Sequence, residues 1–99
     1  MPNKISIPKN EIAAFCRRHR IHRLSLFGSV LRDDFGPDSD VDVLVEFEPG
    51  RVPGFAFFAI EAELSKILDR NVDLNTPGFL SRYIRAKVKA EAQVQYAAR

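Results

Sequence analysis

The stretch LSLFGSVLRDDFGPDSDVDVLVEFEPG, residues 24–50, holds two apolar runs separated by a polar segment that contains glycine. Seven acidic residues fall within positions 33–48, and no Lys or Arg follows Arg32 before the stretch ends. Two of these acids, Asp40 and Asp42, stand where the second apolar run begins. A carboxylate at the start of a buried strand costs free energy unless its charge is compensated. The stretch therefore predicts two strands and, between them, a functional site in which the carboxylate charge is compensated.

The rest of the chain adds helices and one further strand. Apolar residues at helical spacing predict three helices, at residues 7–19, 55–69 and 77–96. Apolar runs of strand length predict three strands, at residues 21–27, 41–47 and 71–74. Ser6 is expected to cap the first helix, and a short helix is expected at Gly28 and Ser29. The predicted fold class is α/β (α+β), a small mixed β-sheet of about three strands with flanking helices.

Length and composition favour one folded domain spanning residues 1–99. A hydrophobic content of 45% with eight Phe argues against disorder. Cys16 is the single cysteine, so it excludes an intrachain disulfide, and it is expected to pack in the core. No apolar run approaches the ~18 residues of a membrane-spanning helix, so we expect no membrane partner and a cytoplasmic location. A net charge of +2 does not indicate a nucleic-acid partner.

The expected connections bring five polar positions together. A helix links the second and third strands, so these strands should be parallel, with Asp42 level with Asp73. The first strand most simply runs antiparallel to the second, which places Gly28 and Ser29 beside the start of the second strand. Asp40 and Asp42 are two positions apart and so share a face of an extended chain. One small region therefore collects all five residues.

Three carboxylates in one region indicate a metal site. Like charges close together repel and favour protonation unless a cation lies between them. Oxygen ligands alone suit Mg²⁺, with Mn²⁺ as the alternative, and Mg²⁺ is commonly shared between carboxylates and substrate phosphates. Asp40, Asp42 and Asp73 are therefore the candidate metal ligands and catalytic residues. Asp73 could instead take a proton from an attacking hydroxyl group.

A phosphate group fits the other side of this region. Gly28 allows close approach to the backbone, and the N–H groups and the Ser29 hydroxyl can donate hydrogen bonds to phosphate oxygens. Arg32, one turn later, can neutralise further phosphate charge. Gly28, Ser29 and Arg32 are therefore the candidate nucleotide-binding residues. The remaining polar residues nearby are interpreted as turn and solvated loop residues: Asp33, Asp34, Asp38 and Ser39.

The spacing G-S-x₁₀-D-x-D, followed by an aspartate in a short later strand, resembles the DNA-polymerase-β-like nucleotidyltransferases. The resemblance covers almost the whole chain, and the small size is similar to that of the minimal nucleotidyltransferases. It implies that Gly28 and Ser29 hold the triphosphate of the substrate ATP. It also implies that Asp40 and Asp42 bind two metal ions and that Asp73 helps to activate the attacking hydroxyl group.

The resemblance also implies a partner. Minimal members of the family often pair with a HEPN ribonuclease toxin, and act as its antitoxin by transferring AMP from ATP to a toxin tyrosine. A HEPN-type toxin in a hetero-oligomer is therefore the expected partner. Two alternatives stay open at this point. The chain could neutralise a partner by contact alone, without catalysis, or it could transfer a nucleotide to a small molecule or to an RNA end.

Overall fold

The computed structural model describes residues 5–32, 35–51 and 53–98. In chain order, the elements are α1 (Lys9–Arg18), β1 (Ile21–Phe27), a 3₁₀ helix (Gly28–Leu31), β2 (Val41–Phe47), α2 (Ala56–Leu68), β3 (Val72–Asn75), a second 3₁₀ helix (Pro77–Phe79), α3 (Arg82–Glu91) and β4 (Gln93–Ala97). Asp33 and Asp34, predicted to be solvated loop residues, lie outside the described ranges. None of the described helices has the length and apolar character needed to cross a bilayer.

The described strands form a mixed four-stranded sheet in the order β3-β2-β1-β4. β1 pairs antiparallel with β2, and β2 pairs parallel with β3, as the connections predict. In this register, Asp42 lies opposite Phe27 on one side and Asp73 on the other. The predicted alignment of Asp42 with Asp73 is therefore confirmed.

The sheet is covered on both faces, which explains the nearly continuous apolar run of β2. On one face, Val43 packs with α1 and α2 in a cluster that includes the fully buried Phe15 and Leu64. On the other face, Leu44 packs with Phe27 and with Val88 of α3. Full burial of such a side chain contributes roughly 1.5–3 kcal/mol. Asp42 is two residues from Leu44 and shares its face, so the site lies on the α3 side of the sheet.

The predicted helix over residues 77–96 is wrong at both ends. Only Arg82–Glu91 is α-helical, with Ser81 as the N-cap, its hydroxyl accepting from the N–H of Ile84 at 3.3 Å. Ala92 is extended, and β4 follows as an edge strand beside β1. The described sheet therefore has four strands rather than about three.

Two patterns compete in this segment. Leu80, Ile84, Val88 and Ala92 are four residues apart, which favours a helix, but Ile84 is 53% exposed and only Val88 is well buried. The run Gln93-Val94-Gln95-Tyr96 has the alternation typical of a strand. Pairing with β1 decides between them, because β4 supplies hydrogen-bonding partners that this edge of β1 would otherwise lack.

The start of α1 also differs from the prediction. The helix begins at Lys9 with Pro8 as the N-cap residue, so Ser6 does not cap it. A residue that precedes proline is disfavoured in the helical region, so Ile7 cannot form the first helical turn. At its other end, α1 is tied to α2, because Arg18 and His19 both contact the Glu63 carboxylate, His19 at 2.9 Å.

Candidate active site

Gly28 directly follows β1 and has a backbone conformation that other residues cannot easily adopt. Its φ of +75° lies in the left-handed region, which favours glycine. A Cβ atom added here would overlap Oδ2 of Asp42 and would lie 3.1 Å from its Cγ. The backbone at Gly28 therefore lies directly against the Asp42 carboxylate. The turn at Gly28 and Ser29 is thus in contact with Asp42 of β2.

Ser29 and Arg32 act on the same carboxylate. The backbone N–H of Ser29 donates a hydrogen bond to Asp42, and the positive charge of Arg32 also stabilises its ionised form. The 3₁₀ helix fixes the spacing of these two residues, since the N–H of Arg32 donates to the carbonyl oxygen of Ser29 at 2.9 Å. All three predicted nucleotide-binding residues are thus gathered around Asp42.

Asp42 is also in the field of the two other predicted aspartates. Burial raises its pKa above the usual carboxyl value, and the charges of Asp73 and Asp40 raise it further. Arg32 and the Ser29 N–H oppose this rise without cancelling it. The structure therefore brings Asp40, Asp42 and Asp73 close enough to interact, with Asp42 half-buried between two exposed neighbours.

The donor chemistry of these carboxylates fits a hard divalent cation. Three acidic side chains with oxygen atoms only are the ligand type that Mg²⁺ and Mn²⁺ prefer. Burial is the main cause of the raised pKa of Asp42, and the charges of Asp73 and Asp40 add to it. Within residues 5–32, 35–51 and 53–98, no group of three or more acidic, His or Cys side chains is arranged so that it could hold a metal ion. On their donor chemistry alone, Asp40, Asp42 and Asp73 remain the candidate ligands.

Asn71 is a site residue that sequence reasoning missed. Its side-chain N–H group donates to Oδ1 of Asp40 at 3.0 Å. A signal was present, because the pairing of Val41 with Val72 places the residue before β3 beside the residue before β2. By contrast, Ser39 is the turn residue that was predicted, since its hydroxyl accepts from the N–H of Gly36 at 3.0 Å.

Comparison with known proteins points to one family. The sequence model described as "Nucleotidyltransferase domain" matches residues 9–95. The chain is similar to "Putative protein adenylyltransferase MJ0435" of Methanocaldococcus jannaschii, with 30% identity over 84 residues, which cover 85% of this chain and 89% of that protein.

Two solved structures share the fold. One, described as a toxin-antitoxin with AMP-PNP, has a TM-score of 0.75 at 21% identity, covering 94% of this chain and 76% of that chain. The other is a tri-AMPylated HEPN toxin from Shewanella oneidensis in complex with its MNT antitoxin. It has a TM-score of 0.67 at 22% identity, covering 91% of this chain and 70% of that chain.

Proposed function

The chain belongs to the nucleotidyltransferase domain family, and from that premise we propose that it transfers AMP from ATP to a tyrosine hydroxyl of a HEPN-type partner protein, as the antitoxin of the pair. The observation that carries the proposal is the contact of Gly28 and Ser29 with Asp42, which itself lies opposite Asp73. The name of one related protein supports transfer of an adenylyl group, and the description of one solved structure supports a HEPN protein as the partner.

We assign the nucleotide to the Gly28 side of the site. The Ser29 hydroxyl and backbone N–H groups of the turn would donate to phosphate oxygens, and Arg32 would neutralise part of the phosphate charge. Gly28 has no side chain, so the turn lies directly against the Asp42 carboxylate, which keeps phosphates bound at the turn close to the aspartates. These roles require the triphosphate to lie over the 3₁₀ helix, with its α-phosphate toward the aspartates.

We assign cation binding and proton transfer to the aspartates. Asp40 and Asp42 would hold divalent cations, Mg²⁺ or Mn²⁺, and a bound cation would neutralise charge on the phosphates and the leaving group. The tyrosine oxygen forms a bond to the α-phosphorus while the bond from that phosphorus to the bridging oxygen of pyrophosphate breaks. The hydroxyl proton passes to the Asp73 carboxylate, so that charge and atoms balance.

The direct test is transfer of a labelled nucleotide. The chain is incubated with labelled ATP, Mg²⁺ and the protein encoded by the neighbouring gene, and mass spectrometry locates any AMP on that partner. The Asp42→Asn variant serves as the matched control, since it keeps the side-chain shape and removes the charge. We expect AMP on a tyrosine of the partner with the unaltered chain and no AMP with Asp42→Asn. A partner that is neutralised but carries no AMP would instead favour inhibition by contact.

A further inference from the structure

The turn between α2 and β3 has a backbone held by its own hydrogen bonds. Asp69 ends α2 in the left-handed region with φ of 53°. The N–H of Arg70 donates to the carbonyl oxygen of Ser65 at 3.2 Å, and the N–H of Val72 donates to the hydroxyl of Ser65 at 3.1 Å. Arg70 and Asn71 lie between these anchors, so both side chains extend from a defined backbone.

Arg70 reaches across to the loop that precedes β2. One terminal nitrogen, Nη2, lies within hydrogen-bonding distance of three backbone carbonyl oxygens of that loop, so that one of its two hydrogen atoms is shared: Gly36 at 2.8 Å, Pro37 at 3.3 Å and Ser39 at 2.9 Å. The guanidinium carbon also lies 4.5 Å from the ring centroid of Phe35, which is cation–π geometry. A single side chain therefore fixes the path of the backbone up to the residue before Asp40.

Asn71 holds the next two residues of the same segment, Asp40 and Val41. Its side chain donates to Asp40, and its backbone carbonyl oxygen accepts from the N–H of Val41 at 2.8 Å. Asp42 follows directly and pairs with Asp73. The segment from Phe35 to Val41 is thus attached to the turn that directly precedes β3, next to the site.

We propose that Arg70 and Asn71 are positioning residues that hold Asp40 and Asp42 where a divalent cation and the nucleotide phosphates need them. The inference rests on the proposed function and deepens it. Groups that hydrogen-bond to metal ligands orient them, and their loss commonly lowers metal affinity about 10–100-fold. Neither residue contacts the reacting atoms in this assignment: Asn71 acts through Asp40, and Arg70 acts through the loop backbone.

The test measures binding of Mn²⁺ with AMP-PNP to the chain by isothermal titration calorimetry, and a titration of Mn²⁺ into AMP-PNP alone is subtracted because the phosphates bind Mn²⁺ themselves. Arg70→Ala and Asn71→Ala should each weaken Mn²⁺ binding by about 10–100-fold at a temperature where circular dichroism shows them folded. Arg70→Lys should recover part of the loss, because an ammonium group can still donate to carbonyl oxygens. Lys66→Ala, which removes a positive charge from the same surface cleft, should bind like the unaltered chain.

A second measurement separates position from general stability. Amide hydrogen exchange at Val41, followed by NMR, should accelerate in Arg70→Ala more than in Lys66→Ala. If Arg70→Ala does not fold, Asn71→Ala and Arg70→Lys still decide the question. Folded variants that bind Mn²⁺ as tightly as the unaltered chain would overturn the positioning role alone. An unaltered chain that binds no Mn²⁺ with AMP-PNP would overturn the proposed function as well.

Discussion

At the scale of single residues, Asp42 experiences opposing influences. Burial and two neighbouring carboxylates raise its pKa, while Arg32 and the N–H of Ser29 lower it. An acidic group with a raised pKa is destabilised in its charged form, here first by burial and then by the neighbouring carboxylates, and a bound cation would stabilise that charged form. Gly28 contributes by having no side chain, since any Cβ there would meet the same carboxylate.

The first prediction concerns the two glycines with the same backbone angle. Gly28 and Gly50 both have φ of +75°, but a Cβ at Gly50 would have nothing within 4 Å. Gly50→Ala should therefore cost only the left-handed strain, about 1–2 kcal/mol. Gly28→Ala should cost more, because it adds the overlap with Asp42.

Urea unfolding of both variants measures the difference. Equal losses of unfolding free energy would contradict the close contact between Gly28 and Asp42. Nucleotide binding by Gly50→Ala should be unchanged in the same preparations, which controls for general damage.

The second prediction separates two roles for Asp73. If Asp73 takes the acceptor proton, Asp73→Asn should keep binding ATP with Mg²⁺ while transfer falls by about 10²–10⁴-fold. Asp42→Asn should lose both, because its carboxylate lies between the other two. Calorimetry of nucleotide binding and rates of transfer to the partner distinguish these outcomes. Parallel loss of binding and transfer in Asp73→Asn would instead assign it chiefly to metal binding.

At the scale of elements, the sequence predicts those parts of the fold whose pattern is local. β1, β2 and α2 have clear periodicity, and the connecting helix dictates which strands are parallel. β4 could not be recognised this way, because residues 80–92 repeat every four positions and the helical pattern runs into the strand. What makes residues 93–97 a strand is the edge of β1, which lies about seventy residues earlier in the chain.

The third prediction tests β4 as a structural strand. Tyr96 pairs with Leu24 and packs partly buried against the main core cluster. Tyr96→Ala should lower the unfolding free energy by roughly 1–3 kcal/mol, less than the ~3–5 kcal/mol of a fully buried aromatic residue. Gln93→Ala, at an exposed position of the same strand, should change it by less than about 0.5 kcal/mol.

Chemical denaturation provides both values. Similar values for the two variants would show that residues 93–97 contribute no packing to the core. NMR chemical shifts of residues 93–97 in the unaltered chain should also be those of extended backbone.

At the scale of the whole molecule, the site is predictable to the extent that it follows from strand register. Asp42 and Asp73 align because a crossover places parallel strands side by side, and Gly28 follows from antiparallel pairing. The attachment of the loop by Arg70 was not predictable. It joins a side chain to backbone carbonyl oxygens more than thirty positions away, and such contacts leave no periodic pattern in the sequence.

The fourth prediction uses Cys16 as a reporter for the whole fold. Its side chain is fully buried, and burial raises the pKa of its thiol to about 12. Since the thiolate is the reactive form, the folded protein should not react with a disulfide reagent such as DTNB at pH 8. Reaction should occur only through unfolding and should be complete in guanidinium chloride. Immediate reaction of the folded chain would contradict the packing of α1 against the sheet.

The contact between Gly28 and Asp42 also constrains the order in which this chain can change during evolution. A larger residue at position 28 overlaps the Asp42 carboxylate and forces it to shift, so a change at position 28 costs less stability after Asp42 has been lost. Once position 28 carries a side chain, restoring Asp42 would recreate the overlap. Loss of the carboxylate is therefore readily reversible only until position 28 changes. A descendant with a side chain at position 28 would be expected to have abandoned nucleotide chemistry permanently.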